Sequence, residues 1–157
     1  MPETSAGILL FRRGADGFEV LLGHPGGPYW AHRDEGIWSV PKGLYDPADE
    51  SPLDAAQREF AEEVGSPAPG PFADLGEVRM RSGKIVRIFA AEGDLDVATA
   101  RSNTFEIEWP PRSGRTAEFP ELARAEWFTV QEARRRILAD QAPFLDRLEA
   151  ALREADS

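Results

Sequence analysis

The chain of 157 residues carries 28 acidic against 18 basic side chains, and its net charge of -10 sets its field against polyanionic nucleic acid as a general partner. It has no cysteine, which excludes disulfides, thiolate metal sites and cysteine nucleophiles. No apolar run approaches the roughly 18 residues that span a membrane, and "MPETSAGILLFRR" lacks the layout of a secretory signal peptide, so a cytoplasmic protein with one domain over 1–157 is expected.

The apolar runs "SAGILLFRR" (5–13) and "FEVLLGHP" (18–25) bracket the turn-like "GADG" and predict a β-hairpin or two adjacent strands. "GGPYWAHRDEG" (26–36) holds too much Gly, Pro and charge for a regular element and reads as a surface loop. "IWSVPKG" (37–43) is expected to form a short strand ending at Pro41 and Gly43. Ser51 then offers an N-cap, Pro52 suits a first helical position, and Asp54 supplies an acidic variant of the capping box. Leu53, Phe60 and Val64 share a narrow arc and Gly65 suits a left-handed end, so a helix is predicted over 52–64.

Further on, "DLGEVRMR" (74–81) and "KIVRIFAAEG" (84–93) flank an "SG" turn and predict an antiparallel pair. "TFEIEWP" (104–110) alternates apolar and acidic residues as a half-buried strand would, "PPRSGRTAEFPE" (110–121) reads as a loop, and "AEWFTV" (125–130) as another strand. "QEARRRILADQ" and "PFLDRLEAALREA" predict two helices. The last is amphipathic through Phe144, Leu145, Leu148 and Leu152, which suits packing on its own core or on a partner, in a monomer or homodimer. Strands and helices mix without strict βαβ alternation, which predicts an α/β fold: a mixed sheet flanked by helices.

Within "REFAEEVGS" (58–66), Glu59, Glu62 and Glu63 fall inside about 100° of arc beside the apolar stripe. Like charges at these spacings repel by roughly 0.2–0.5 kcal/mol per pair. A solvated acidic face is the ordinary explanation for such a run. No lysine is interspersed here, however, and the stripe follows the Gly- and Pro-punctuated "PKGLYDPADES". Hard divalent cations such as Mg²⁺ take oxygen ligands, often a few carboxylates plus substrate phosphates, and one would turn this repulsion into attraction.

"GLYDPADESPLDAAQREFAEEVGS" resembles the Nudix box, in which a glycine, five residues, a glutamate and seven residues precede Arg-Glu-bulky-x-Glu-Glu-x-Gly-bulky. Gly43, Glu50, Arg58, Glu59, Phe60, Glu62, Glu63 and Gly65 occupy the motif positions. "SAGILLFRR", "WSVPKG" and "AEWFTVQEA" are similar to the family's flanking elements, so the resemblance covers most of the chain. Two positions depart from the pattern. Six residues rather than five separate Gly43 from Glu50, where Asp49 would satisfy the first interval but break the second, and Ser66 replaces the final bulky residue.

The resemblance implies a Nudix-type α/β/α sandwich and hydrolysis of a pyrophosphate bond in a nucleoside diphosphate linked to another group, with Mg²⁺ or Mn²⁺ held by Glu59, Glu62 and Glu63. It implies that Arg58 orients a carboxylate, that Gly43 permits the tight loop beside the substrate, and that Glu62, Glu63 or a glutamate outside the box serves as general base. Glu106, Glu108, Glu118 and Glu121 are the outside acids, and the sequence does not choose among them. Lys42 is a phosphate-binding candidate, since "WSVPKG" is similar to the branch acting on diadenosine polyphosphates, with a plain surface lysine as the equal alternative. Arg112 and Arg115 are a second phosphate-binding candidate, with solvated surface as the ordinary alternative. Tyr29, Trp30 and Trp109 are candidates for base stacking, whereas His24 and His32 read as loop structure. A nucleoside diphosphate linked to another group or a dinucleoside polyphosphate leads as substrate; a sugar-nucleotide or ADP-ribose-type pyrophosphatase and a non-catalytic nucleotide-binding module stand as alternatives.

Overall fold

The hairpin forms around the turn at Ala15 and Asp16: strands β1 (Thr4–Gly14) and β2 (Gly17–Pro25) run antiparallel, with Phe11 opposite Val20. The computed structural model describes residues 2–155. β1 is central and lies parallel to β5 (Ile85–Glu92), which pairs antiparallel with β4 (Phe72–Arg79). β8 (Leu122–Thr129) closes the other side against β2, giving the order β4-β5-β1-β2-β8.

The consecutive apolar run of β1 follows from burial on both faces. Leu9 and Phe11 enter one core, while Ala6, Ile8 and Leu10 enter the other. Helix α1 (Pro52–Val64) covers the second core with Ala55, Ala56, Phe60 and Val64. Over the first core lie α2 (Val130–Arg136) and α3 (Ala142–Ala155), the latter burying Phe144, Leu145, Leu148 and Leu152 in this chain's own sheet. The result is the expected three-layer α/β/α arrangement around a mixed sheet.

The predicted limits of α1 match the structure. The Ser51 side chain accepts from the Asp54 backbone N–H at 3.1 Å, Pro52 opens the helix, and Gly65 closes it with φ of 89°. Its last carbonyls are met by the segment that follows: Arg101 N–H donates to Val64 at 2.8 Å and Asn103 N–H to Glu62 at 3.0 Å. Ser51→Ala is expected to lower folding stability by about 1 kcal/mol; urea denaturation checks this, and an unchanged midpoint would show that the cap contributes nothing.

Three expectations need correction. "IWSVPKG" does not form one strand: Trp38 and Ser39 make isolated bridges to Ile137 and Gly23, and the strand proper is β3 (Lys42–Leu44). Pro41 has no N–H for a ladder, and β3 begins after it, antiparallel to the start of β1. Gly7 of β1 permits this approach, because a Cβ there would overlap the Pro41 carbonyl and the Lys42 side chain. The expected loop at 110–121 contains β7 (Thr116–Pro120), paired with β6 (Thr104–Glu108) in a separate two-stranded sheet. Finally, "QEARRRILADQ" is helical only to Arg136: Ile137 turns away to bridge Trp38, and a short 3-10 turn at Ala139–Gln141 leads into α3. The fully buried Gln141 holds this junction, accepting from Val40 N–H at 2.9 Å and donating to Ser39 Oγ at 3.0 Å. Among the described residues no helix is long and apolar enough to cross a membrane.

Candidate active site

β3 runs beside α1, so Lys42 and Gly43 face the acidic side of the helix. The Glu59 carboxylate packs directly on Gly43, and any Cβ there would overlap it. Glu59 is 8% exposed although it is charged. One turn further, a Glu63 carboxylate oxygen accepts the Lys42 backbone N–H at 3.0 Å. Glu62 lies toward solvent on the Arg58 side.

Arg58 ties the motif together. Its Nε and Nη2 donate to the two carboxylate oxygens of Glu50 at 2.9 and 2.7 Å, a bidentate pairing. Its Nη1 donates to Glu59 at 2.8 Å and more loosely to Glu62 at 3.3 Å. The loop with the additional residue turns on Asp46, whose carbonyl accepts from the N–H groups of Asp49 and Glu50 at 2.9 and 3.1 Å. That turn absorbs the insertion and delivers Glu50, not Asp49, to Arg58.

The electrostatics divide the carboxylates. The Arg58 hydrogen bonds hold Glu50 below the usual carboxylate range and the Arg58 guanidinium, through Glu50 first, is held above its ordinary value. Burial raises Glu59 despite the Arg58 contact. Burial first and the Glu59 charge second push Glu63 up to about 8, against the opposing hydrogen bond from Lys42. Desolvation lowers the Lys42 ammonium, although Glu63 pulls the other way.

Among the described residues, no three acidic or histidine side chains already gather around one point as a cation cage. The Arg58 guanidinium lies among Glu50, Glu59 and Glu62, and Glu63 is turned to the Lys42 backbone. The donor set nevertheless suits a hard divalent cation: every donor is a carboxylate oxygen, and two are desolvated beside each other, where a cation relieves the repulsion.

The structure separates the four outside glutamates. Glu106 and Glu118 face each other across the β6–β7 pair, Glu118 accepts the Thr104 hydroxyl at 2.6 Å, and Glu108 accepts the Arg112 backbone N–H at 2.7 Å. Glu121 alone of the four adds its charge to both Glu59 and Glu63. With Glu63 and Lys42 it lines a cavity of about 300 Å³. No sequence signal distinguished Glu121, because its place comes from the hairpin exit, where its carbonyl accepts Gly26 N–H at 3.0 Å.

The other candidates are dispersed. Arg112 and Arg115 are exposed in the turn between β6 and β7 and do not line that cavity. Tyr29, 63% exposed, meets Trp109 edge-on at 5.5 Å, while Trp30 lines the cavity. The His24 ring is buried against Trp38, its nitrogens 2.9 and 2.6 Å from the carbonyls of Pro25 and Arg33, which agrees with the expected structural role.

A model of the NUDIX domain matches residues 1–148. An uncharacterized 17.7 kDa protein from the e-segB intergenic region of Enterobacteria phage T4 is 36% identical over 95 residues; the match spans 57% of this chain and 58% of the phage protein's length. The NUDIX domain of Shewanella oneidensis NrtR, solved with ADP ribose, is similar over 97% of this chain and 89% of its own, with a TM-score of 0.67 and 18% identity. A C. elegans Ap4A hydrolase, solved as a binary complex, is similar over 96% and 98% of the two chains, with a TM-score of 0.62 and 21% identity. Likeness at these identities speaks for the shared fold.

Proposed function

The chain belongs to the NUDIX domain family, and from that premise we propose that it hydrolyses a pyrophosphate bond in a nucleoside diphosphate linked to another group or in a dinucleoside polyphosphate. The observation that carries this reading is the pair of desolvated carboxylates, Glu59 and Glu63, packed against β3, with Glu63 lining a cavity that also presents Lys42. Glu59, Glu62 and Glu63 would hold Mg²⁺ or Mn²⁺, which supplies charge neutralisation at the diphosphate oxygens.

The remaining work falls to the chain itself. Arg58, anchored on Glu50, keeps Glu59 and Glu62 oriented. Gly43 lets the Glu59 carboxylate sit against β3. The Lys42 ammonium attracts the diphosphate into a protein whose net charge otherwise repels it. Glu121 is the acid at the cavity that accepts the proton as the water oxygen bonds to phosphorus and the phosphate leaving group departs. Positioning and electrostatics, without a covalent intermediate, supply the rate.

The test is a substrate panel with Mg²⁺ or Mn²⁺: diadenosine polyphosphates, nucleoside triphosphates, ADP-ribose, sugar nucleotides and capped RNA ends. Product masses from reactions in ¹⁸O-water identify the phosphorus attacked. Cation-dependent release of a nucleotide product is expected; tight nucleotide binding without product from any of them would overturn the hydrolase reading in favour of a binding module.

A further inference from the structure

The cavity at Lys42 changes character along its length. Its charged groups, Lys42, Glu63 and Glu121, belong to the acidic site, since the charge of Glu121 acts on Glu63. Ser39 also lines the cavity, but its hydroxyl is engaged within the chain, donating to the Val40 carbonyl at 2.8 Å and accepting from Gln141 Nε2 at 3.0 Å. The side chains of the other walls are apolar: Ile37, Leu122 and Leu138, with Leu122 packed so closely on Gly23 that a Cβ there would overlap it. Trp30 completes the lining and is 40% exposed.

Trp30 differs from the chain's other tryptophans. Trp38 is fully buried against His24 and Phe128. Trp127 donates its indole N–H to the Leu95 carbonyl at 3.0 Å and lies under Arg12, and Trp109 meets Tyr29. Among the described residues Trp30 has no aromatic partner, and the Arg33 guanidinium lies 5.6 Å from its ring centroid. Lys42 forms no ion pair among the described residues, in a chain with 28 acidic side chains.

We infer that this cavity receives one planar ring of the substrate, the base of its nucleoside half, stacked on Trp30 with the adjoining phosphate at Lys42; the identification of that ring as a nucleobase rests on the hydrolase reading. A sugar or second phosphate placed among Ile37, Leu122 and Leu138 would surrender its water without gaining hydrogen bonds, whereas the faces of a base need none. A volume of about 300 Å³ lies at the small end of ligand pockets, which suits one ring system and not two nucleosides. The walls are fixed before any ligand arrives. Leu138 N–H donates to the Trp38 carbonyl at 2.9 Å, Gly23 and Ser39 exchange hydrogen bonds at 2.8 and 3.0 Å, and Gly26 seats the Trp30 loop on the hairpin exit. Preorganisation of this kind lowers the ordering cost of binding.

The experiment needs neither turnover nor metal. AMP, GMP, CMP, UMP, ribose 5-phosphate and inorganic phosphate are each titrated calorimetrically into the full chain in EDTA. At least one nucleotide is expected to bind tenfold or more tightly than ribose 5-phosphate. Trp30→Ala should weaken that nucleotide about tenfold and leave ribose 5-phosphate unchanged. Trp30→Phe should retain most of the preference, which separates stacking from loss of fold. Lys42→Gln should weaken nucleotides and ribose 5-phosphate alike. Equal binding of all four nucleotides and ribose 5-phosphate by the unmodified protein would overturn the inference, as would a Trp30→Ala loss shared equally by ribose 5-phosphate. A Trp30-dependent preference in a protein that hydrolyses nothing in the panel would sink the hydrolase reading while the ring site stands.

Discussion

Glu63→Gln is expected to reduce cation-dependent hydrolysis roughly a hundredfold or more while the fold survives. The amide oxygen of glutamine still accepts the Lys42 backbone N–H that Glu63 accepts at 3.0 Å, so β3 stays where it is. The negative charge is lost, and with it the attraction for a divalent cation. The same substitution has a second consequence. In the metal-free protein, burial and the neighbouring Glu59 hold the Glu63 carboxyl up at about 8, against an ordinary value of 4.5.

Below pH 4.5 the group keeps its proton in folded and unfolded chains alike. Between 4.5 and about 8 the unfolded chain ionises first, so the unfolded state binds fewer protons and stability falls with rising pH. Above about 8 the whole difference is lost. Glu63→Gln lacks this slope. In EDTA, urea denaturation at several pH values should therefore show the unmodified protein losing ground to the variant from pH 5 to pH 9. Parallel profiles would show that Glu63 is not desolvated, and near-normal turnover by the variant would remove Glu63 from the proposed cation site.

Gly43→Ala should produce the other large effect. The new methyl group would overlap the Glu59 carboxylate. The backbone is not free to recede, because Gly43 is paired with Ala6 of β1. The Glu59 carboxylate must therefore swing away, abandoning its 2.8 Å contact with Arg58. Overpacking of this sort lowers stability by about 1–3 kcal/mol, and hydrolysis should fall further than stability does, since Glu59 is a proposed cation ligand. Added Mg²⁺ is expected to stabilise the unmodified protein in thermal melts, and that shift should shrink or vanish in the variant. Combining the variant with Glu59→Asp, one methylene shorter, should recover part of the stability without recovering activity. An active Gly43→Ala protein with an unchanged Mg²⁺ response would show that the packing of Glu59 on β3 does not matter.

What could be read from the chain alone was whatever local chemistry dictates. The limits of α1 follow from Ser51, Pro52 and Gly65, and its orientation from Phe60 and Val64, all within one short segment. The hairpin of β1 and β2 follows from two apolar runs around a tight turn. The family resemblance rests on the same local spacing, and the family match over 1–148 agrees with it. β7 escaped notice because its partner β6 alone gives it a ladder, and five residues that include a terminal proline carry little pattern of their own. β3 was displaced by a few residues because its position depends on a glycine far away in β1.

The functional candidates divide in the same way. Glu59, Glu62, Glu63 and Arg58 are neighbours on one helix, so their grouping was visible as a period. Glu121 and Trp30 are not. Glu121 reaches the acidic site because the β6–β7 hairpin returns the chain beside Gly26, and Trp30 reaches the cavity because that same contact seats its loop. Tyr29, one residue earlier, goes instead to Trp109. A helical period records which side chains share a face, and the sequence alone determined that much here. Which acid and which aromatic ring meet that face depends on contacts between segments nearly a hundred residues apart, and only the tertiary structure decided it.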